Sequence, residues 1–209
     1  MRHSLWMRAL PLVLLARTAP RAGVPTAPRR VPAHAAPEGD GVVVGSGPVV
    51  VDAYIDFQCP FCRAFELSSG DELRAMAADG RTTLVYHPMD FLDHASTNHY
   101  SSRAASASGC ASDGDRFEDY ARVLFANQPP EGGPGLTDDQ LVELGTSVGL
   151  TDPGFVQGVP SHPYVPWADY VTQRALARGV SATPTTLVDG VPVPANARAI
   201  AAAVASGAR

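Results

Sequence analysis

The sequence predicts an α/β fold in which strands and helices alternate at both ends of the chain and a long helical block lies between them. Three observations carry this. Val49 to Phe57 is a nearly continuous apolar, β-branched run, followed at once by Cys59-Pro60-Phe61-Cys62 at the start of a helical stretch. From about residue 93 to 178 the apolar residues fall at helical spacing. Thr183 to Val193 then reads as a strand hairpin, and a closing helix follows.

Each element has its own local reason. Gly41-Val42-Val43-Val44 reads as a short strand and Gly45-Ser46-Gly47 as a turn. The run from Val49 has the pattern of a central strand buried on both faces. Pro60 suits the first turn of a helix. That helix extends to about Ala78, with Arg63-Ala64-Phe65, Leu73, Met76 and Ala77 in its stripe; Ser68-Ser69-Gly70 is expected to kink it and Gly80 to end it. Thr82 to Tyr86 is the next strand. Phe117, Tyr120, Ala121, Leu124 and Phe125 form one helix face. Thr137-Asp138-Asp139-Gln140 is a capping box that starts a helix carrying Leu141, Leu144 and Val148 and ending at Gly149. Trp167, Tyr170 and Val171 lead a further helix to Gly179. Thr183 to Val188 is a strand, Asp189-Gly190 a hairpin turn, Val191 to Val193 its partner, and Ala195 to Ala205 the last helix. This order is that of a thioredoxin-like fold with an inserted helical subdomain.

Composition narrows the function. The chain has 209 residues and a formal net charge of -5, with no basic block of the kind that holds nucleic acid. Every basic residue is arginine, so no lysine ammonium can tune a thiol or act as a base. A small scaffold held by disulfides would need more cysteines than Cys59, Cys62 and Cys110. Residues 1–40 stand apart. Arg2 and Arg8 precede the apolar run Leu10 to Ala16, which resembles a secretory signal and is far shorter than the ~20 residues of a membrane span. An over-extended start or a disordered tail are the alternatives for this stretch. Residues 17–40, rich in Pro, Ala and Arg, read as a flexible linker, with the folded domain covering 41–209.

The chemistry lies in Cys59 and Cys62. At this spacing on a first helical turn, two sulfurs are close enough to join. Free backbone N–H groups and the helix dipole favour an anion on the first, drawing its pKa from about 8.5 toward the range of about 3.5–7. Stabilising the reduced form makes the disulfide a better oxidant. Cys59 is expected to be the exposed nucleophile, and Cys62, one turn deeper, the resolving thiol. Two other readings stay open for the bare motif: a structural disulfide, or half of a zinc site, which needs two more ligands. His94 and His99 are a loose candidate pair for that.

Asp56-Phe57-Gln58-Cys59-Pro60-Phe61-Cys62-Arg63-Ala64-Phe65 resembles the DsbA-like branch of the thioredoxin superfamily, and Gly179-Val180-Ser181-Ala182-Thr183-Pro184-Thr185 resembles that family's loop facing the active site. The resemblance spans roughly residues 42 to 205. It implies a cis Pro184 beside the sulfurs and a Thr183 backbone that pairs with substrate. Pro60 and Phe61 lie at the same substrate-facing site. No metal and no cofactor are expected, since there is no second CxxC to complete a zinc site and no Gly-rich loop follows a strand into a helix.

Three departures from the family pattern stand out. Ala53 occupies the position where thioredoxin-like strands often carry a buried acid, and Asp56 is the candidate replacement as proton relay. Phe61 stands where the most oxidising relatives have histidine, so a milder oxidant is expected. Cys110 lies where relatives often have a paired cysteine, but its partner position in Phe155-Val156-Gln157-Gly158 is a glycine; a lone buried thiol is expected.

His87 is expected to be a satisfied packing histidine, and Tyr164 and Trp167 core rather than groove. The loop Pro129 to Gly135 suggests no chemistry. The reading is a thiol-disulfide oxidoreductase that oxidises cysteine pairs of exported proteins. It is reoxidised by a redox partner such as a quinone-linked membrane oxidase. The alternatives are a reductase or isomerase of the same fold, working with a reductase partner, or a non-catalytic binding module. Localisation is expected to be extracytoplasmic, with the cytoplasm as alternative.

Overall fold

A computed structural model describes residues 25–207. The signal-like stretch at residues 1–16 lies outside the described residues. The order is β1 (Val42–Gly45), β2 (Val49–Ile55), α1 (Pro60–Ala78), β3 (Thr82–Pro88) and a 3-10 turn (Asp93–Ala95). Then follow α2 (Tyr100–Asp113), α3 (Phe117–Ala126), α4 (Asp138–Ser147), α5 (Pro153–Ser161) and α6 (Val165–Ala177). β4 (Thr185–Val188), β5 (Val191–Val193) and α7 (Ala197–Gly207) complete it. Five helices thus lie between β3 and β4.

The five strands form one sheet in the order β1-β3-β2-β4-β5. β2 and β3 are parallel and the other pairings antiparallel. The central position of β2 follows from its composition: Val51, Ala53, Tyr54 and Ile55 are all buried. Alternation divides its side chains between two faces. One face meets α1 and α7, which also pack on each other. The other presents Asp52 and Tyr54, with His87 of β3 stacked on Tyr54 at 4.1 Å between ring centroids. The Asp189-Gly190 turn takes positive φ at both residues, the geometry that matches strand twist in a two-residue hairpin. Thr137 and Gln140 form the reciprocal capping box. α1 is continuous through Ser68-Ser69-Gly70, and Gly70 lets the Glu66 carboxylate lie where a Cβ would collide with it at 2.5 Å.

The linker expectation fails for the described part of residues 17–40. Residues 30–40 lie against α2 and α6 as a strap. Arg30 stacks over the Tyr164 ring at 4.8 Å, and Ala33 N–H donates to Asp113 at 2.9 Å. Ala35 bridges to Val42. Trp167 Nε1 donates to the Gly39 carbonyl at 2.7 Å, and Tyr170 Oη to the Glu38 carbonyl at 2.8 Å. Arg174 and Arg178 pair with Glu38 and with the buried Asp40. The segment has little apolar surface to signal packing. Its order comes from polar groups whose partners lie about 80 to 140 positions away in the chain. Trp167 and Tyr164 are core residues, as expected. His87 is buried with both ring nitrogens occupied, Nε2 on Asp52 at 2.9 Å and Nδ1 on the Asp40 carbonyl.

Candidate active site

The site forms where β2 passes into α1. Cys59 is the N-cap of α1, with φ -72° and ψ 118°, and Pro60 opens the first turn. The proline needs no N–H there, and its ring sets the φ a helix requires. Cys62 lies one turn further in and is fully buried, its Sγ accepting the Asp56 backbone N–H at 3.4 Å. All three cysteines are free thiols in this structure.

From the other side, the loop before β4 closes on Cys59. The Thr183–Pro184 peptide bond is cis, and the Cys59 thiol donates to the Thr183 carbonyl at 3.2 Å. The structure therefore brings Cys59, Cys62, Thr183 and Pro184 together. Pro60 and Phe61 sit on the outer rim, with Phe61 74% exposed. The exposed nucleophile is corrected: Cys59 is only 3% exposed, because the Thr183 carbonyl sits against its sulfur and the turn that carries it is tucked inward.

The two thiols are electrostatically unequal. The Cys59 pKa is lowered from an ordinary 9 to about 6. The hydrogen bond from the Cys62 thiol contributes most; burial opposes it, and the Thr183 side-chain hydroxyl and the backbone N–H groups of Cys62 and Phe61 assist it. Burial pushes Cys62 well above 9, and its hydrogen bond to Cys59 adds to this. A proton therefore resides on Cys62 and the negative charge on Cys59. That arrangement is what a nucleophilic thiolate with a protonated neighbour requires.

Asp56 lies beneath this pair and is wholly buried. Its carboxylate accepts three hydrogen bonds: from Gln58 N–H at 2.8 Å, the Ser101 hydroxyl at 2.7 Å and Leu92 N–H at 2.8 Å. Burial nevertheless raises its pKa from 3.8 to about 7. Ala53, the position that lacks an acid, is filled by core packing. Ser101 and Gln128 are parts of the site that the sequence did not single out. Gln128 Nε2 donates to the carbonyls of Phe57 and Cys59 at 2.9 and 3.0 Å. Ser101 lies on α2 and Gln128 just after α3, so only the folded topology brings them to the cysteines.

Residues elsewhere are placed as follows. Cys110 is buried, with its pKa pushed up to about 12 by desolvation. Gly158 lies directly against it: a Cβ there would stand 3.2 Å from Cys110 Sγ. His99 is paired with Asp93 at 2.9 Å. Among the described residues no group of three or more His, Cys, Asp or Glu could hold a metal ion, and no helix is long and apolar enough to cross a membrane.

A family model described as Thioredoxin matches residues 39–204. The reduced disulfide bond oxidoreductase DsbG of Mycobacterium tuberculosis superposes with a TM-score of 0.66 at 32% identity, covering 74% of this chain and 80% of that one. Reduced DsbA of the same organism gives 0.66 at 31%, covering 73% and 84%. Part of the serine/threonine-protein kinase PknE of M. tuberculosis is 34% identical over 119 residues, 53% of this chain and 21% of the kinase. The chain thus spans about a fifth of the length of the curated relatives it matches.

Proposed function

We propose that this chain, which belongs to the thioredoxin family and to its DsbA-like branch, is a thiol-disulfide oxidoreductase that works chiefly as an oxidant of protein cysteine pairs. The observation that carries the reading is the inequality of the two thiols: an acidic Cys59 at the helix N-terminus, and a buried, proton-holding Cys62. The gap between 9 and about 6 corresponds to about 4 kcal/mol in favour of the Cys59 thiolate. Since that thiolate exists only in the reduced protein, it favours release of the disulfide to substrate.

The steps balance as follows. A substrate thiolate attacks Cys59 Sγ of the Cys59–Cys62 disulfide. The S–S bond breaks, and the Cys62 sulfur leaves with the electron pair and takes up a proton. A second substrate thiolate attacks the substrate sulfur of the mixed disulfide, and Cys59 departs as its thiolate. The substrate is oxidised by two electrons and the protein reduced by two. In the reverse direction Cys62 resolves the mixed disulfide. Asp56 serves as the proton relay: its carboxyl is buried next to the active-site turn and changes charge near pH 7. The Thr183 backbone is the edge on which a substrate segment pairs, with Pro184 beside it removing a competing N–H; Pro60 and Phe61 form the opposite rim.

The substrates are cysteine pairs of exported proteins, and reoxidation falls to a membrane-bound redox partner. Support for export comes from the charge and apolar pattern of residues 2–16. Oxidation of a reduced two-cysteine peptide by the oxidised protein and by Cys59→Ser tests the function. The wild type is expected to oxidise the peptide and Cys59→Ser to leave it at the uncatalysed rate. Equal rates would refute the reading.

A further inference from the structure

Gln128 reaches the active site from outside the thioredoxin frame. It follows the end of α3, where its backbone N–H donates to the Phe125 carbonyl at 3.3 Å. Pro129 and Pro130 come next and restrict the chain beyond it. The rest of this loop, which suggests no chemistry in the sequence, is tied down on the segment after β3. Gly132 N–H donates to the Ala95 carbonyl at 2.8 Å, and the Asn98 side chain both donates to and accepts from the Gly135 backbone at 3.0 Å. Gln58 Nε2 donates to that same Ala95 carbonyl at 2.6 Å. The loop and the active-site turn thus share one anchor.

The two carbonyls that Gln128 holds bracket the turn presenting Cys59. β2 ends at Ile55, so residues 57 to 59 have no strand partner. Their remaining backbone ties are local: Cys59 N–H to the Asp56 carbonyl at 3.0 Å, Gln58 N–H to the Asp56 carboxylate, and the first helical bond from Arg63 to Cys59 at 3.2 Å. A carbonyl carries its negative end on oxygen. Without Gln128 the Phe57 carbonyl would lose this donor, and the Cys59 carbonyl would keep only the Arg63 N–H, beside a sulfur that is to carry charge. The turn would also be free to rotate away from the N–H groups of α1.

We propose that Gln128 is a positioning residue for disulfide exchange: its amide pins the Phe57 and Cys59 carbonyls, and so holds the Cys59 sulfur against the α1 amides in the form that favours the thiolate. The proposal rests on reading Cys59 as the exchanging thiol. Gln128 touches no substrate and acts only through the backbone it holds.

The test titrates the Cys59 thiolate by its ultraviolet absorbance and measures the equilibrium with glutathione for the wild type, Gln128→Leu and Gln128→Lys. Cys62 and Cys110 ionise far higher, so the first transition belongs to Cys59. Leu removes the donor. The midpoint is expected to rise and the equilibrium to move about three- to tenfold toward a weaker oxidant, about 15–30 mV. Lys replaces the amide with a charged donor of similar reach, so its midpoint is expected at or below that of the wild type. Loss of packing alone would move both variants the same way. An unchanged midpoint in Gln128→Leu, or equal rises in both variants, would overturn the proposal. An active wild type with an unmoved Leu variant refutes only the role of Gln128. A wild type that does not oxidise the peptide refutes the function and leaves the midpoint comparison standing.

Discussion

Replacing Cys62 separates the two sources of Cys59 acidity. In the structure, Cys59 falls from 9 to about 6, and the largest single contribution is the hydrogen bond from the Cys62 thiol. The N–H groups of Cys62 and Phe61 are backbone and survive substitution. A hydrogen bond to a charged group contributes about 1.5–3 kcal/mol, and a thiol is a weak donor, so the lower end applies. At about 1.4 kcal/mol per pH unit, losing it moves the midpoint up by about one unit. Cys62→Ala is therefore expected to titrate near 7, and Cys62→Ser, which keeps an O–H donor at the same place, near 6. At pH 6 the thiolate fraction falls from about a half in the serine variant to about a tenth in the alanine variant. Thiolate absorbance against pH gives the midpoints, and the rate of alkylation at fixed pH gives an independent ratio. Identical midpoints in the two variants would refute the reasoning. They would assign the acidity of Cys59 to the α1 N-terminus and Thr183 alone.

Three further outcomes follow from other parts of the molecule. Gly158→Cys should form a disulfide with Cys110, since its Cβ would stand 3.2 Å from Cys110 Sγ. Closing a loop of about 50 residues is expected to stabilise the fold by up to about 4 kcal/mol, read as a higher Tm and the disappearance of two free thiols, that of Cys110 and that of the introduced cysteine. Asp56 has a folded pKa of about 7 against 3.8, so its contribution to stability is complete below pH 3.8 and is lost as pH rises through about 7. The wild-type Tm should fall across that window relative to Asp56→Asn, and parallel curves would count against a raised Asp56. A chain beginning at Gly41 loses the acceptor of Trp167 Nε1 and the acids facing Arg174 and Arg178. With about 1–3 kcal/mol for each buried group left unmatched, its Tm should drop sharply; an unchanged Tm would restore the linker reading.

The sheet and the dithiol were legible because their signals are local. A β-branched run, a proline at a helix start and a turn dipeptide each act on their own neighbours. They place β2, α1 and the β4–β5 hairpin within two or three residues of their observed bounds. Cys110 and Gly158 were legible as a pair through the resemblance alone, and the structure puts them in contact. Gln128, Ser101 and the strap at residues 30–40 were not legible. Gln128 reaches residues 57 and 59 across about 70 positions of chain, and Glu38 meets Arg178 across 140. Neither residue type carries a pattern that announces such a partner. The burial of Cys59 was missed for a related reason: it depends on where the Thr183 loop comes to rest, and not on anything within α1.

The most direct test of the oxidant assignment is the reduction potential of the Cys59–Cys62 pair, from its equilibrium with reduced and oxidised glutathione. With a Cys59 pKa of about 6, a value clearly above the roughly -270 mV of thioredoxin and below the roughly -120 mV of the strongest oxidants is expected. A value at or below roughly -270 mV would contradict the assignment and make the protein a reductase.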